Sequence, residues 1–512
     1  MVDLRETESL ARIHERLAAQ PEGLESDLAE LVAFLVASEN DTLALIAYLR
    51  DPSVVPASPP GGDIEGGFVI YWLHNLRKLP WEFQLIIDTN PLLLLAFEEL
   101  RKRVPPSQIT TPDYEWLENK YKDYGAPGPD GTMYGYKKYQ QLDTGWMISA
   151  LNYVANVLDS NLIHPFPASG TAAPIVLTRK DGNLSQDPVL GIVGDWGTGY
   201  YTDEGGAKCP AQRVMEQITN PAKSPPIDYL IHLGDVYYAG TDWRPLPFEE
   251  RDNFYDLWPD QKNGRNFTLN SNHEMYGGAM GYFDVALQAK GKFAAQAGKS
   301  YFALKYGPWL VLCLDSAYYS DAANGRKMYM AGAIGTHVLD QQIKWVEGFR
   351  GHQGPIMVMT HHTAGDTLSG QITGLYKQVL AALKRPPTVW YWGHVHNGIV
   401  YDKLGDFRSK PVITYPTKGR CCGHGAIPFG KAWGLEDKQG KQLPNILYYA
   451  HTPDPDLPDT GGSNPLNPRV RNGYALVTLH GDGGFTEAFY ETGTSQPLFQ
   501  RKWAAAELED CD

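Results

Sequence analysis

The run from Ile227 to Gly240 constrains this chain more than any other. Ile227, Tyr229, Leu230, Ile231 and Leu233 make an apolar, strand-forming stretch that stops at Gly234-Asp235 and then turns. A buried strand of that kind delivers a carboxylate to the rim of an open α/β sheet, where such proteins keep their sites. Four other short motifs fall around it. Gly194-Asp195-Trp196-Gly197 lies upstream; Ser271-Asn272-His273-Glu274, Thr360-His361-His362 and Gly393-His394-Val395-His396 lie downstream. Each follows or lies near an apolar run, the Asn-His motif least clearly. Together they offer two carboxylates, a phenol, an amide oxygen and three imidazoles, a donor set for two metal ions.

The remainder is scaffold, cover or appendage. At 512 residues the chain is long enough for two or three domains, and 43% hydrophobic with 20% charged residues excludes wholesale disorder. A net charge of −14 argues against nucleic acid or an anionic membrane as a standing partner, so phosphate binding must come from a local site. The five cysteines (Cys209, Cys313, Cys421, Cys422, Cys511) show no CxxC spacing and read as free thiols of a reducing compartment. The charged N-terminus lacks an apolar signal core, which predicts a soluble, cytoplasmic protein unless a leader has been removed.

Leucine and isoleucine spacing predicts helices through residues 1–107, with Pro52 to Gly62 as a linker and Pro105-Pro106 as the stop. Residues 108–184 form a tyrosine-rich connecting or cover segment. From 185 to 495 the rhythm is strand, loop and helix, with strand-like runs at Trp309 to Asp315, Ile356 to Met359 and Thr388 to Trp392; residues 496–512 form a C-terminal tail.

The ordered motifs resemble those of the calcineurin-like metallophosphoesterases, and among them the purple acid phosphatases. Most of that superfamily has a histidine two residues after the first aspartate and no tyrosine after the second. Here Gly197 takes the histidine's place and Tyr238 stands three residues after Asp235. The resemblance implies a four-layer αββα sandwich, an α/β fold with two central mixed sheets and metals at the loop edge between them, plus an all-helical N-terminal region. It implies Asp195, Tyr238 and His396 on a first ion, Asp235 bridging, and Asn272, His361 and His394 on a second. Hard oxygen donors suit Fe(III); the mixed set suits Fe(II), Zn(II) or Mn(II). The spacing and the missing histidine put Tyr238 inward and Tyr237 on the opposite side of the extended segment; the alternative is Tyr238 as a core aromatic with Tyr237 inward.

The implied reaction is hydrolysis of a small phosphomonoester by a metal-bound hydroxide, with His273 protonating the leaving oxygen. His362 is a candidate phosphate contact. Arg420 and His424, in a glycine-rich loop, are candidates too, although a structural turn explains them equally. The alternatives are a phosphodiesterase using the same metals, or a signalling protein whose N-terminal helices bind a protein partner. Ser271 departs from the family's usual glycine, and the histidines that plant members carry downstream of the fourth motif are missing after His362. Substrate preference therefore does not carry over.

Overall fold

The computed structural model describes residues 127–133, 138–140 and 149–509, the last with gaps at 150–151, 154–155, 157–159, 168, 180–185, 202–207, 243–247, 262–264, 325–327, 408–410 and 457–468. The helical module expected over 1–107, and most of the tyrosine-rich segment, lie outside the described residues. The strands and helices belong to one compact unit, Pro127–Met133, Asn152–Thr460 and Pro465–Asp512. Among the described residues no helix is long and apolar enough to cross a membrane.

Sixteen strands are described: β1 (Ile175–Val176), β2 (Val189–Val193), β3 (Tyr229–His232), β4 (Asn266–Thr268), β5 (Phe302–Tyr306), β6 (Trp309–Cys313), β7 (Ile356–Thr360), β8 (Val389–Trp392), β9 (Gly398–Tyr401), β10 (Leu404–Asp406), β11 (Ile413–Tyr415), β12 (Lys418–Cys422), β13 (Ile446–Tyr449), β14 (Gly473–Leu479), β15 (Phe485–Glu491) and β16 (Phe499–Trp503). One sheet runs β1-β5-β6-β7-β8-β12-β9-β13, a second runs β16-β15-β14-β2-β3-β4, and β10 pairs with β11 alone. Both large sheets are mixed, as expected. They reach beyond residues 185–495 at both ends, since β1 pairs with β5 and β16 with β15.

Side-chain alternation explains why the strands read as unbroken apolar runs. In β6, β7 and β8, Val311, Cys313, Met357, Met359, Val389 and Tyr391 join the core between the sheets. Their neighbours Leu310, Leu312, Ile356, Val358, Trp390 and Trp392 join a second core with Val346, Leu375, Val379 and Leu383. Those residues come from helices Gln342–Glu347 and Gly374–Leu383. Strands covered on both faces have no polar side to show. On the other sheet, helix Pro210–Ile218 comes down on β2 at Gly191, where a Cβ would lie 2.9 Å from Ile218 Cδ1. The result is helix, sheet, sheet, helix.

One ion pair crosses the inter-sheet core. Arg420 on β12 donates through Nε and Nη2 to Glu487 on β15, at 2.6 and 2.7 Å. Tyr391 Oη and Trp503 Nε1 donate to the same carboxylate at 2.8 and 2.7 Å. Arg420 Nη1 is taken by the carbonyls of Tyr401 and Gly419. The expectation that Arg420 contacts phosphate is therefore corrected: it is fully buried and saturated. His424 is corrected as well. Its ring lies between Gly398 and Gly473, where added Cβ atoms would come within 2.7 and 2.8 Å of Nε2, and it stacks on Phe489. Burial pushes its imidazole down to about 3, so it is uncharged at neutral pH and offers a phosphate no cation. The four cysteines among the described residues are free and buried.

Arg420→Met would leave Glu487 buried without its counter-charge and cost about 3–5 kcal/mol, read as a lower denaturant midpoint. KM of the folded fraction should not change. A raised KM with an unaltered midpoint would return Arg420 to the substrate.

Candidate metal centre

β2, β3 and β4 run parallel in one sheet, and β6, β7, β8 and β12 in the other, so the loops after them collect at one edge. Backbone hydrogen bonds close the seam. Gly194 N–H donates to the Cys422 carbonyl at 2.8 Å, Asp195 N–H to that of Gly234 at 3.0 Å, and Gly393 N–H to that of His361 at 3.0 Å. Asp195, Asp235 and His394 take φ of 55°, 79° and 66°, left-handed positions costly for anything but glycine. Three such residues at one seam mark a site. Gly234 has no alternative, for a Cβ there would lie 2.8 Å from Ser271 Cβ and 2.9 Å from His361 Nδ1.

On one side of the seam, Asn272 Oδ1 stands 2.8 Å from His361 Nε2 and 3.1 Å from His394 Nδ1, and the two nitrogens are 3.2 Å apart. Asp235 Oδ1 is 3.2 Å from His361 Nε2. The protons on these rings are assigned by their outer partners. His361 Nδ1 faces the Leu233 carbonyl at 2.9 Å and His394 Nε2 faces the Met330 carbonyl at 3.1 Å. A carbonyl only accepts, so those nitrogens carry the hydrogens and the inner nitrogens present lone pairs. Asn272 Nδ2 donates to Tyr276 Oη at 3.2 Å, which turns its oxygen inward. Burial lowers the His361 imidazole and, with His361 nearby, pushes His394 down to about 3. No proton is left to lie between these atoms at neutral pH. Spacings of about 3 Å are those of ligands sharing one ion at about 2.1 Å, and a cation fits here.

The other side is anionic. Tyr237 Oη lies 2.8 Å from Asp235 Oδ2, 3.3 Å from Asp195 Oδ1 and 3.2 Å from His396 Nε2. His396 Nε2 lies 3.7 Å from Asp195 Oδ1. Burial and then the charge of Asp235 push the Asp195 carboxyl well up. Burial and both carboxylates do the same to the Tyr237 phenol. Asp235, although buried, is held well below the usual carboxylate range by the imidazoles of His361 and His273. Two carboxylates and a phenol around one point suit a hard, highly charged ion. Asp235 faces both sides, with one oxygen on each.

Here a prediction is corrected: the phenol in the site is that of Tyr237, not Tyr238. Gly197 N–H donates to the Asp235 carbonyl at 3.1 Å and Tyr237 N–H to the Gly197 carbonyl at 2.9 Å. These bonds hold residues 235–237 alongside Gly197, so positions 235 and 237 face the same way. The same approach explains the missing histidine, since a Cβ on Gly197 would meet the Asp235 carbonyl oxygen at 2.6 Å. Tyr238 contributes its carbonyl, which accepts from His273 Nδ1 at 2.6 Å.

That bond leaves His273 Nε2 toward the site, 4.0 Å from Asp235 Oδ2. His362 is also corrected. It lies close to His361 and His394, but Nδ1 pairs with Ser316 Oγ at 2.9 Å and Nε2 donates to the Tyr329 carbonyl at 2.6 Å, so neither nitrogen is available to a phosphate. Ser271, the departure from glycine, caps helix Asn272–Tyr276 by accepting from His273 N–H at 3.0 Å. Its hydroxyl also touches Asp235 Oδ1 and Glu274 Oε2. Burial and the charge of Asp235 raise the Glu274 carboxyl to about 8, so at neutral pH it donates to Ser271, which donates to Asp235. Neither that relay nor the carbonyls of Tyr329 and Met330 carries a sequence signal.

Residues 189–398 match the family model of calcineurin-like phosphoesterases. This segment is a calcineurin-like phosphoesterase domain. Among solved structures, the chain is similar to GAP50, the anchor in the inner membrane complex of Plasmodium, at 10% identity over 62% of this chain and 89% of that one, with a TM-score of 0.42. It is similar to the purple acid phosphatase PPD1 from yellow lupin (Lupinus luteus) seeds at 14% identity, 68% and 57% coverage and a TM-score of 0.38. For a dimetal phosphatase from Danio rerio the values are 9%, 62%, 99% and 0.33. No curated protein matches the chain in sequence. The matched residues end at Gly398, so Arg420 and His424 fall outside the match.

Tyr237→Phe removes a donor atom from the anionic side of the phosphoesterase site and should weaken one bound ion by about 10-fold or more, of the order of losing an outer-shell partner. Tyr238→Phe should not. Metal content after dialysis against graded chelator checks this, and the opposite ranking would restore Tyr238.

Proposed function

We propose that the chain is a two-metal phosphoric ester hydrolase acting on small phosphomonoesters in the manner of purple acid phosphatases. In this reading Fe(III) is held by Asp195, Tyr237, His396 and Asp235. A divalent ion, Fe(II), Zn(II) or Mn(II), is held by Asn272, His361, His394 and Asp235. The observation that carries the reading is the set of inward lone pairs on Asn272, His361 and His394 beside a phenol flanked by two carboxylates. When bound, the ions supply Lewis acidity and neutralise charge developing on the phosphoryl group.

The residues of the chain do the remainder. Asp235 spaces the two sides by facing one oxygen to each. The His396 side chain is 22% exposed and His394 is likewise only partly buried, whereas Asp195, Asp235 and His361 are at most 1% exposed, so substrate approaches from the side of these two histidines. His273 is held by the Tyr238 carbonyl with its second nitrogen toward the pocket. Protonated there, it donates to the leaving oxygen, which matters most for alkyl esters because an alkoxide leaves poorly.

The test compares an alkyl with an activated aryl phosphomonoester. His273→Ala should slow the alkyl ester by about 10²–10⁴-fold and the aryl ester far less. Equal losses would make His273 a structural residue. In the same assays a chelator should abolish turnover, and a bis-aryl diester outpacing the aryl monoester would move the chain to the phosphodiesterases.

A further inference from the structure

Outside the ligands themselves, the loop after β6 carries an arrangement that the reaction does not by itself require. Met328 and Tyr329 are consecutive residues at φ 54° and 53°. Neither is glycine, and a left-handed position crowds the Cβ of an L-residue against its own backbone. Strain of that kind persists only where surrounding contacts hold it. Here the holding contact is Asp321, whose Oδ1 accepts from Tyr329 N–H at 2.7 Å and whose Oδ2 accepts from Tyr153 Oη at 2.8 Å. The Tyr153 ring braces the turn, edge-on to Tyr329 at 5.8 Å and to Tyr276 at 6.5 Å.

The turn presents two successive carbonyls to two histidines. That of Tyr329 takes His362 Nε2 at 2.6 Å, and that of Met330 takes His394 Nε2 at 3.1 Å. Met330 reaches a second ligand too, with Sδ 3.3 Å from Tyr276 Oη and 3.7 Å from Asn272 Nδ2. One strap therefore orients His394 through its proton and Asn272 through its amide nitrogen. Met330 is half exposed, so the strap lies at the mouth of the pocket.

We propose that Met328–Met330 is a strap, anchored by Asp321, that sets the affinity of the site formed by Asn272, His361 and His394. It does so by fixing which nitrogen of His394 faces the ion. Asp321 and Tyr329 are positioning residues here and touch neither ion nor substrate. The inference rests on the two-metal reading above.

The test is equilibrium binding of Co(II) to the metal-free full-length chain, followed by its visible spectrum and by competition with a chromophoric chelator. Asn272→Ala identifies which of the two binding steps belongs to this site. Tyr329→Val and Tyr329→Gly both remove the ring, but only valine resists a positive φ. The Val variant should weaken the identified step about 10–100-fold relative to the Gly variant, and leave the other step unchanged. Asp321→Ala should act like the Val variant, and Asp321→Asn, which keeps an oxygen for Tyr329 N–H, should restore most of the loss. Equal affinities for the Val and Gly variants, or parallel weakening of both steps, would overturn the strap. A wild-type chain with a single binding step would overturn the two-metal reading itself.

Discussion

Everything in this fold answers to one electrostatic constraint: lone pairs and carboxylates are brought within about 3 Å of one another where few protons separate them. Asn272, His361 and His394 meet with their hydrogens turned outward. Asp195 and Tyr237 meet beside them, with burial and the charge of Asp235 opposing their ionisation. A buried group without a partner costs of the order of 1–3 kcal/mol, more when charged. Such a cluster needs a scaffold that holds it together and cations to relieve it.

The scaffold is stiff where it must be. Two sheets with both faces covered leave the strands no room to slide, and Arg420 with Glu487 clamps the sheets together from within their shared core. A buried pair of this kind is weak evidence for net stability, because desolvation offsets much of the attraction. Its four donors to one carboxylate instead fix how β8, β12, β15 and β16 face one another. The seam above inherits that register through Gly194 and Cys422.

Much of this was legible in the residues. Asp195, Asp235, Asn272, His361, His394 and His396 each stand just beyond the end of a described strand, and apolar runs ending in Gly-Asp, Thr-His or Gly-His mark such ends without a structure. The sandwich followed from the family resemblance that those motifs carry. What misled was orientation. Tyr237 and Tyr238 are chemically alike, and only the pairing of Gly197 with residues 235–237 decides which phenol enters. Arg420 and His424 sat in a glycine-rich stretch that suited a phosphate contact or a structural turn equally, and the glycines serve close approach of backbone and ring. The strap was invisible, because it acts through carbonyls that every residue possesses.

Crystals of the metal-loaded chain, with anomalous scattering recorded at the edges of the bound metals, test the central claim most directly. The account predicts two peaks about 3.5–4 Å apart, one bonded to Tyr237 Oη and the other to His361 Nε2 and His394 Nδ1, with Asp235 between them. A single peak, or an ion bonded to Tyr238 with Tyr237 turned away, would contradict it.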